Sequence, residues 1–92
     1  MSWTITHDHL ENENVAIYGP SSISNEDLAA LKAGKGHAFK LYDGDGGLML
    51  SGKSTDNDSE DAFGPLDDYG EPAYGCTSIA YRRNNGGPFT TL

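Results

Sequence analysis

Cations are scarce in this chain. Six lysines and arginines stand against fourteen aspartates and glutamates, leaving a formal net charge of −8 over 92 residues. Neutralising a phosphate backbone takes clustered Lys and Arg, so direct nucleic-acid binding is not expected. Cysteine is nearly absent. Cys76 stands alone, which excludes an intramolecular disulfide framework and any all-cysteine zinc site. No apolar run is long enough to span a membrane, and the start of the chain, through His9, lacks the basic head and apolar stretch of a signal peptide. The expected compartment is cytoplasmic, and the glycosylation triplet Asn57-Asp58-Ser59 then carries no meaning. Large aliphatic residues are few as well: Leu, Ile, Val and Phe total 16, a proportion approaching that of disordered chains at this charge.

Two features argue for order. Trp3 and five tyrosines add large, partly apolar rings, and the apolar residues are patterned rather than scattered. The reading is a single small acidic α+β domain, residues 1–92, with one modest core. Its stability is expected to be marginal, and a partner or a second copy (a homodimer) would raise it by adding buried area.

The pattern is clearest from Ala38 to Lys53, which reads as a β-hairpin. With Asp45-Gly46 as a two-residue type I′ turn, Leu41 falls opposite Leu50 and Tyr42 opposite Met49. Phe39, Leu41, Leu48 and Leu50 then share one face, and Lys40 and Ser51 the other. Trp3 and Ile5 alternate in a short strand, Val15 to Tyr18 form another, and Thr77 to Arg83 a third. Asn85-Gly86 as a turn puts Tyr81 opposite Thr90, Ile79 opposite Leu92 and Arg82 opposite Phe89, while Pro88 marks an edge strand. One helix is written plainly, over 25–33. Ser24 is its N-cap, Ile23 and Leu28 form a hydrophobic staple, Lys32 lies in the last turn and Gly34 is the left-handed stop. The expected fold is a mainly antiparallel sheet of about four to six strands with this one short capped helix packed on one face. Leu28 and Leu31 would then meet Phe39, Leu41, Leu48 and Leu50.

Patterns that carry chemistry mostly fail on spacing. Gly34-Lys35-Gly36 lacks the phosphate-loop pattern and lies between a helix and a strand in the wrong order. Asp43 and Asp45 begin like a calcium loop, but Leu48 and Ser54 stand where Gly and Glu are needed. His7 and His9 share a strand face, yet no spacing nominates a third or fourth zinc ligand. Cys76, between Gly75 and Thr77 before a β run, reads as a small core residue rather than a nucleophile. No catalytic residue, cofactor or metal is assigned, and the chain is read as a non-enzyme.

One stretch breaks from the rest. Residues 56–71 hold seven of the carboxylates and no basic residue. Asp56, Asp58 and Glu60, with Asp67 twelfth, again begin like a calcium loop, with Asp61 where the sharp turn requires glycine; a calcium-binding loop is one alternative. The preferred reading is a solvated loop in which Ser59 caps a helical turn running to Phe63, Gly64-Pro65 ends it, and Phe63 and Leu66 peg the loop to the sheet. A preorganised run of carboxylates attracts a basic partner and speeds encounter, and exposed Tyr69 and Tyr74 would supply aromatic anchor area. The residues expected to bind a basic protein partner are therefore Asp67, Asp68, Tyr69, Glu71 and Tyr74. A narrower alternative is mimicry of nucleic acid, with the carboxylates taking phosphate positions on a DNA- or RNA-binding protein.

Several stretches, taken together, resemble a family of small uncharacterised bacterial and phage proteins common on plasmids and other mobile elements. They are Trp3-Thr4-Ile5-Thr6 with Asp8-His9-Leu10, the hairpin from Phe39 to Asp43 with its Gly-rich turn, and Phe63-Gly64-Pro65-Leu66-Asp67-Asp68-Tyr69-Gly70-Glu71-Pro72 leading to Gly75-Cys76-Thr77-Ser78-Ile79-Ala80-Tyr81. Residues 11–35 are not part of it. The resemblance carries over no catalytic or binding residue. It implies a genomic setting in which small acidic proteins bind and block host machinery.

Overall fold

Alternation of apolar and polar residues builds the sheet that everything else rests on. The computed structural model describes residues 2–20, 23–55, 60–82 and 87–92. Its strands are β1 (Trp3–Asp8), β2 (Glu13–Gly19), β3 (His37–Tyr42), β4 (Leu48–Ser54), β5 (Ser78–Arg82) and β6 (Phe89–Thr91). They form one sheet in the order β2-β1-β4-β3-β5-β6, with every neighbouring pair antiparallel. Two short helices join it, α1 (Asn25–Lys32) and α2 (Glu71–Tyr74). The architecture is α+β.

Cross-strand rows define two faces. Ile5, Gly52, Phe39 and Tyr81 lie side by side across β1, β4, β3 and β5, and Asp8, Leu50, Leu41 and Ile79 form the next row on the same face. Between them, on the reverse face, runs His7, Ser51, Lys40, Ala80 and Thr91. The front rows are the core: Ile5, Leu41 and Leu50 are fully buried, as nearly are Phe39 and Ile79. Each such side chain gains about 1.5–3 kcal/mol from leaving water. Ala62, Leu66 and Cys76 close over them, with Tyr69 and Tyr74 packed at the margin.

The hairpin register between Leu41 and Leu50 is as expected, but its turn is not. Asp45 does not take positive φ; Gly46 alone does, at 82°, so the two-residue type I′ turn is replaced by a longer loop. The cause is Asp43, whose Oδ1 accepts from the Asp45 N–H at 3.0 Å and the Gly47 N–H at 2.7 Å. Tyr42 consequently pairs with Leu48, and Met49 becomes an extra residue. Met49, not Leu48, packs against the core.

Helix α1 keeps its expected caps. Ser24 Oγ accepts from the Asp27 N–H at 3.1 Å. Lys35 N–H donates to Ala30 O and Gly34 N–H to Leu31 O, with Gly34 at φ 82°, which is a Schellman closure. Its placement corrects the sequence reading. Leu31 is buried, yet no residue of α1 belongs to the cluster of Phe39, Leu41 and Leu50. Helix contacts run instead to the reverse face: Lys32 Nζ lies 6.0 Å from the Tyr18 ring centroid, and Lys53 Nζ donates to Gly34 O just beyond the helix at 2.9 Å. Tyr18 and Lys53 flank Thr4 in a reverse-face row. A stripe of two leucines is too narrow to cover the front rows, and residues 60–76 bring more apolar surface to them.

At the other end of the sheet, Tyr81 pairs with Thr90 and Arg82 with Phe89, and Leu92 N–H donates to Ile79 O at 3.0 Å. That register is the expected one, and β6 is the sheet edge that Pro88 signalled. The Asn85-Gly86 turn itself lies outside the described residues.

Candidate functional site

The acid-bearing segment is held from below. A 3₁₀ turn (Glu60–Phe63) leads into a π-helical turn (Leu66–Gly70) that continues into α2. Ala62 is fully buried and its carbonyl accepts from the Tyr81 hydroxyl at 2.7 Å, whereas Phe63 is 37% exposed. The peg beside Leu66 is therefore Ala62 rather than the expected Phe63, because the tight 3₁₀ turn points the smaller residue at the sheet. The Ser59 cap, with Asp56 and Asp58 of the calcium-loop pattern, lies outside the described residues.

The π-helical turn sorts its residues by depth. Glu71 N–H donates to Leu66 O, five residues back, so that Leu66 and Gly70 both turn inward while Asp67 and Asp68 stay exposed. Gly70 must lack a side chain there: a Cβ would sit 2.9 Å from Leu41 Cδ1 and 3.2 Å from Cys76 Cβ. Glu71 is exposed on the next turn, and α2 stops at Gly75 in the left-handed region, φ 69°.

Tyr69 and Tyr74 were expected to be exposed anchors, and both are half-buried fasteners instead. The Tyr69 ring lies 6.0 Å from the Trp3 ring and 6.1 Å from that of Tyr74, measured between centroids. The Tyr74 hydroxyl donates to Asp8 Oδ2. Of the five residues proposed from sequence, Asp67, Asp68 and Glu71 face solvent, and the two tyrosines hold the segment that carries them.

Asp8 is the partner that sequence reading missed. Ile5 lies beside Gly52 but His7 lies beside Ser51, so Thr6 is an extra residue in β1. This bulge reverses the alternation and turns Asp8 toward the core face beside Leu50. Asp8 is buried, and its Oδ1 accepts from the Leu10 and Glu11 N–H groups at 2.9 and 3.1 Å. The Tyr74 hydroxyl first, then the Glu11 N–H, hold its carboxyl below the ordinary range. The same bond, aided by burial, pushes the Tyr74 phenol up to about 12.

The bulge also gathers groups on the reverse face. The His7 and His9 ring centroids are 4.4 Å apart; His7 Nδ1 donates to Asn14 Oδ1 at 3.0 Å, and His9 Nε2 shares a hydrogen bond with Ser51 Oγ at 2.5 Å. Burial first, then the charges of His7 and Lys40, lower the pKa of His9. Further along, Lys40 Nζ and Arg82 Cζ lie 4.4 and 4.9 Å from the Phe89 ring centroid. Lys40 and Ser51 sharing a face, and Arg82 opposite Phe89, were both legible from alternation, but their convergence was not.

Among the described residues, no group of three or more His, Cys, Asp or Glu side chains could hold a metal ion, and no helix is long and apolar enough to cross a membrane. Cys76 is a buried free thiol in the core cluster, and burial pushes its pKa up, the opposite of an activated nucleophile. In comparisons with known proteins, no family model, no curated protein and no solved structure matches this chain.

Proposed function

We propose that the protein is a non-enzymatic binding module whose acidic surface engages a basic surface of a protein partner. The observation that supports this is the combination at residues 66–74: Asp67, Asp68 and Glu71 exposed, on a segment pinned by buried Leu66 and by the Tyr74–Asp8 bond. Carboxylates held in place lose less ordering entropy on association than carboxylates on a mobile loop. Charge of one sign on such a surface raises encounter rates and makes binding sensitive to salt. The resemblance to mobile-element proteins adds a direction, in which the partner is host machinery that the protein blocks.

Affinity capture tests this. Wild type and a variant with Asp67→Asn, Asp68→Asn and Glu71→Gln are immobilised and exposed to host lysate at low and high salt. Basic proteins retained by wild type at low salt, released by salt and lost from the variant are the expected outcome. Equal retention by both would place the binding surface elsewhere.

A further inference from the structure

The strands of the sheet carry no carboxylate on their reverse face. Its rows are Tyr18, Thr4, Lys53 and Ala38; then Asn14, His7, Ser51, Lys40, Ala80 and Thr91; with Tyr42, Leu48 and Ser78 at one end and Arg82 beside Phe89 at the other. Acids outnumber basic residues fourteen to six in this chain, so a surface cation has many chances to find a carboxylate. Among the described residues, neither Lys40 nor Arg82 pairs with one, and Arg82 Nε is shielded from water without a hydrogen-bond partner. Both cations nevertheless converge on one ring, within 5 Å of the Phe89 centroid. Two cations against one ring without a counter-ion leave a local excess of positive charge, which an anion docked at that ring would neutralise.

We propose that this part of the reverse face, centred on Lys40, Phe89 and Arg82, docks an acidic segment of a partner polypeptide whose carboxylates bridge the two cations. The site is separate from the acidic surface on the front, and it takes a ligand of opposite sign. Helix α1 contacts the Tyr18–Lys53 end of the face, leaving the Lys40–Arg82 end to the partner. The rings there are already engaged, Phe89 by two cations and His7 by His9, so they offer little area for stacking bases. A chain of net charge −8 opposes a continuous polyphosphate more than a few carboxylates. A guanidinium fork and an ammonium held at one ring suit a carboxylate pair.

The test is a titration of isotopically labelled protein with a short peptide carrying a few glutamates, and separately with oligodeoxythymidylate, at matched ionic strength, following backbone amide resonances. Shifts centred on Lys40, Ser51, Ala80, Arg82 and Phe89, reversed by salt, are expected with the glutamate peptide. The Lys40→Gln, Arg82→Gln double variant should bind about tenfold more weakly or worse, while Asp67→Asn with Asp68→Asn should titrate like wild type at these amides. If the double variant loses its dispersed spectrum, Lys40→Gln alone serves, since Lys40 is only partly buried. Tighter binding of the oligonucleotide would assign the face to nucleic acid and overturn the proposal. So would shifts elsewhere, no shifts, or the same shifts produced by raising the protein concentration alone, which would make a second copy the occupant. Failure here leaves the acidic surface untouched, because that surface is read out by the capture experiment on the other face.

Discussion

Tyr74 donates its hydroxyl hydrogen to Asp8, joining two residues 66 positions apart. The bond fastens the end of α2 to the end of β1, and with it the acid-bearing segment to the sheet. Removing the hydroxyl leaves Asp8 in place with one acceptor unmatched. Tyr74→Phe should therefore lower the melting temperature at neutral pH and speed amide exchange in residues 66–75. Unchanged exchange there would mean that the apolar contacts alone hold the segment.

The same bond has an alkaline signature. The Tyr74 phenol titrates at about 12 in the folded chain against 10.0 unperturbed. A folded pKa above the unfolded one gives stability that is complete below the unfolded value and is lost as pH rises toward the folded one. Wild type should lose denaturant resistance between about pH 10 and 12 on this account, and Tyr74→Phe should show less of that loss. Parallel pH profiles for the two proteins would contradict it.

Mild acid, above the carboxylate range, acts through His9. Its folded pKa lies below the ordinary 6.5 because burial disfavours the imidazolium. The contribution is present above the unfolded value and is lost as pH falls through it. Unfolding midpoints should drop as pH is lowered from about 7 into the range below 6.5, and His9→Gln should flatten that part of the profile.

Two pegs can be told apart by substitution. Leu66 is 7% exposed and Phe63 is 37% exposed. Leu66→Ala should cost about 2–5 kcal/mol, while Phe63→Ser should stay within about 1 kcal/mol of wild type. Chemical denaturation measures both. Equal costs would restore the sequence-based expectation that both residues anchor the segment.

Glycines divide by what surrounds them. A Cβ at Gly52 would meet Thr4 O at 1.9 Å and Phe39 Cζ at 2.8 Å. Gly52→Ala should cost more than about 3 kcal/mol, beyond the usual overpacking range, because the obstacle is backbone. At Gly46, φ is 82° and a Cβ would meet nothing within 4 Å, so Gly46→Ala should cost only about 1 kcal/mol of backbone strain. Near-equal melting temperatures for the two variants would contradict the close β1–β4 approach.

What the sequence made legible was local. Ser24, Gly34 and the Leu41–Leu50 and Tyr81–Thr90 registers could be read because each depends on neighbours in the chain or on simple alternation. The face covered by α1 was not readable, because a two-leucine stripe fits either side of a sheet and the choice depends on which other segment claims the front. Phe63 stays partly out because the geometry of a 3₁₀ turn, and not the size of a residue, sets which side chain faces the sheet. Of the acidic surface, the exposure of Asp67, Asp68 and Glu71 followed from composition. The burial of Tyr69 and Tyr74 did not, since nothing near them in sequence announces Trp3 or Asp8 as partners.

Thr6 gives β1 one residue more than the stretch of β4 beside it. A substitution at this exposed position changes a side chain. A deletion would remove only the extra residue: Ile5 would still stand beside Gly52, His7 beside Ser51 and Asp8 beside Leu50, so no side chain would change face. A straight strand that kept Thr6 would instead send His7 into the core and release Asp8, which secures α2, to water. Variants of this chain should thus accept many replacements at position 6, and its loss as well, provided that His7 and Asp8 keep Ser51 and Leu50 as their neighbours, so that the facing of those residues, rather than the residue count before them, is what holds α2 to the sheet.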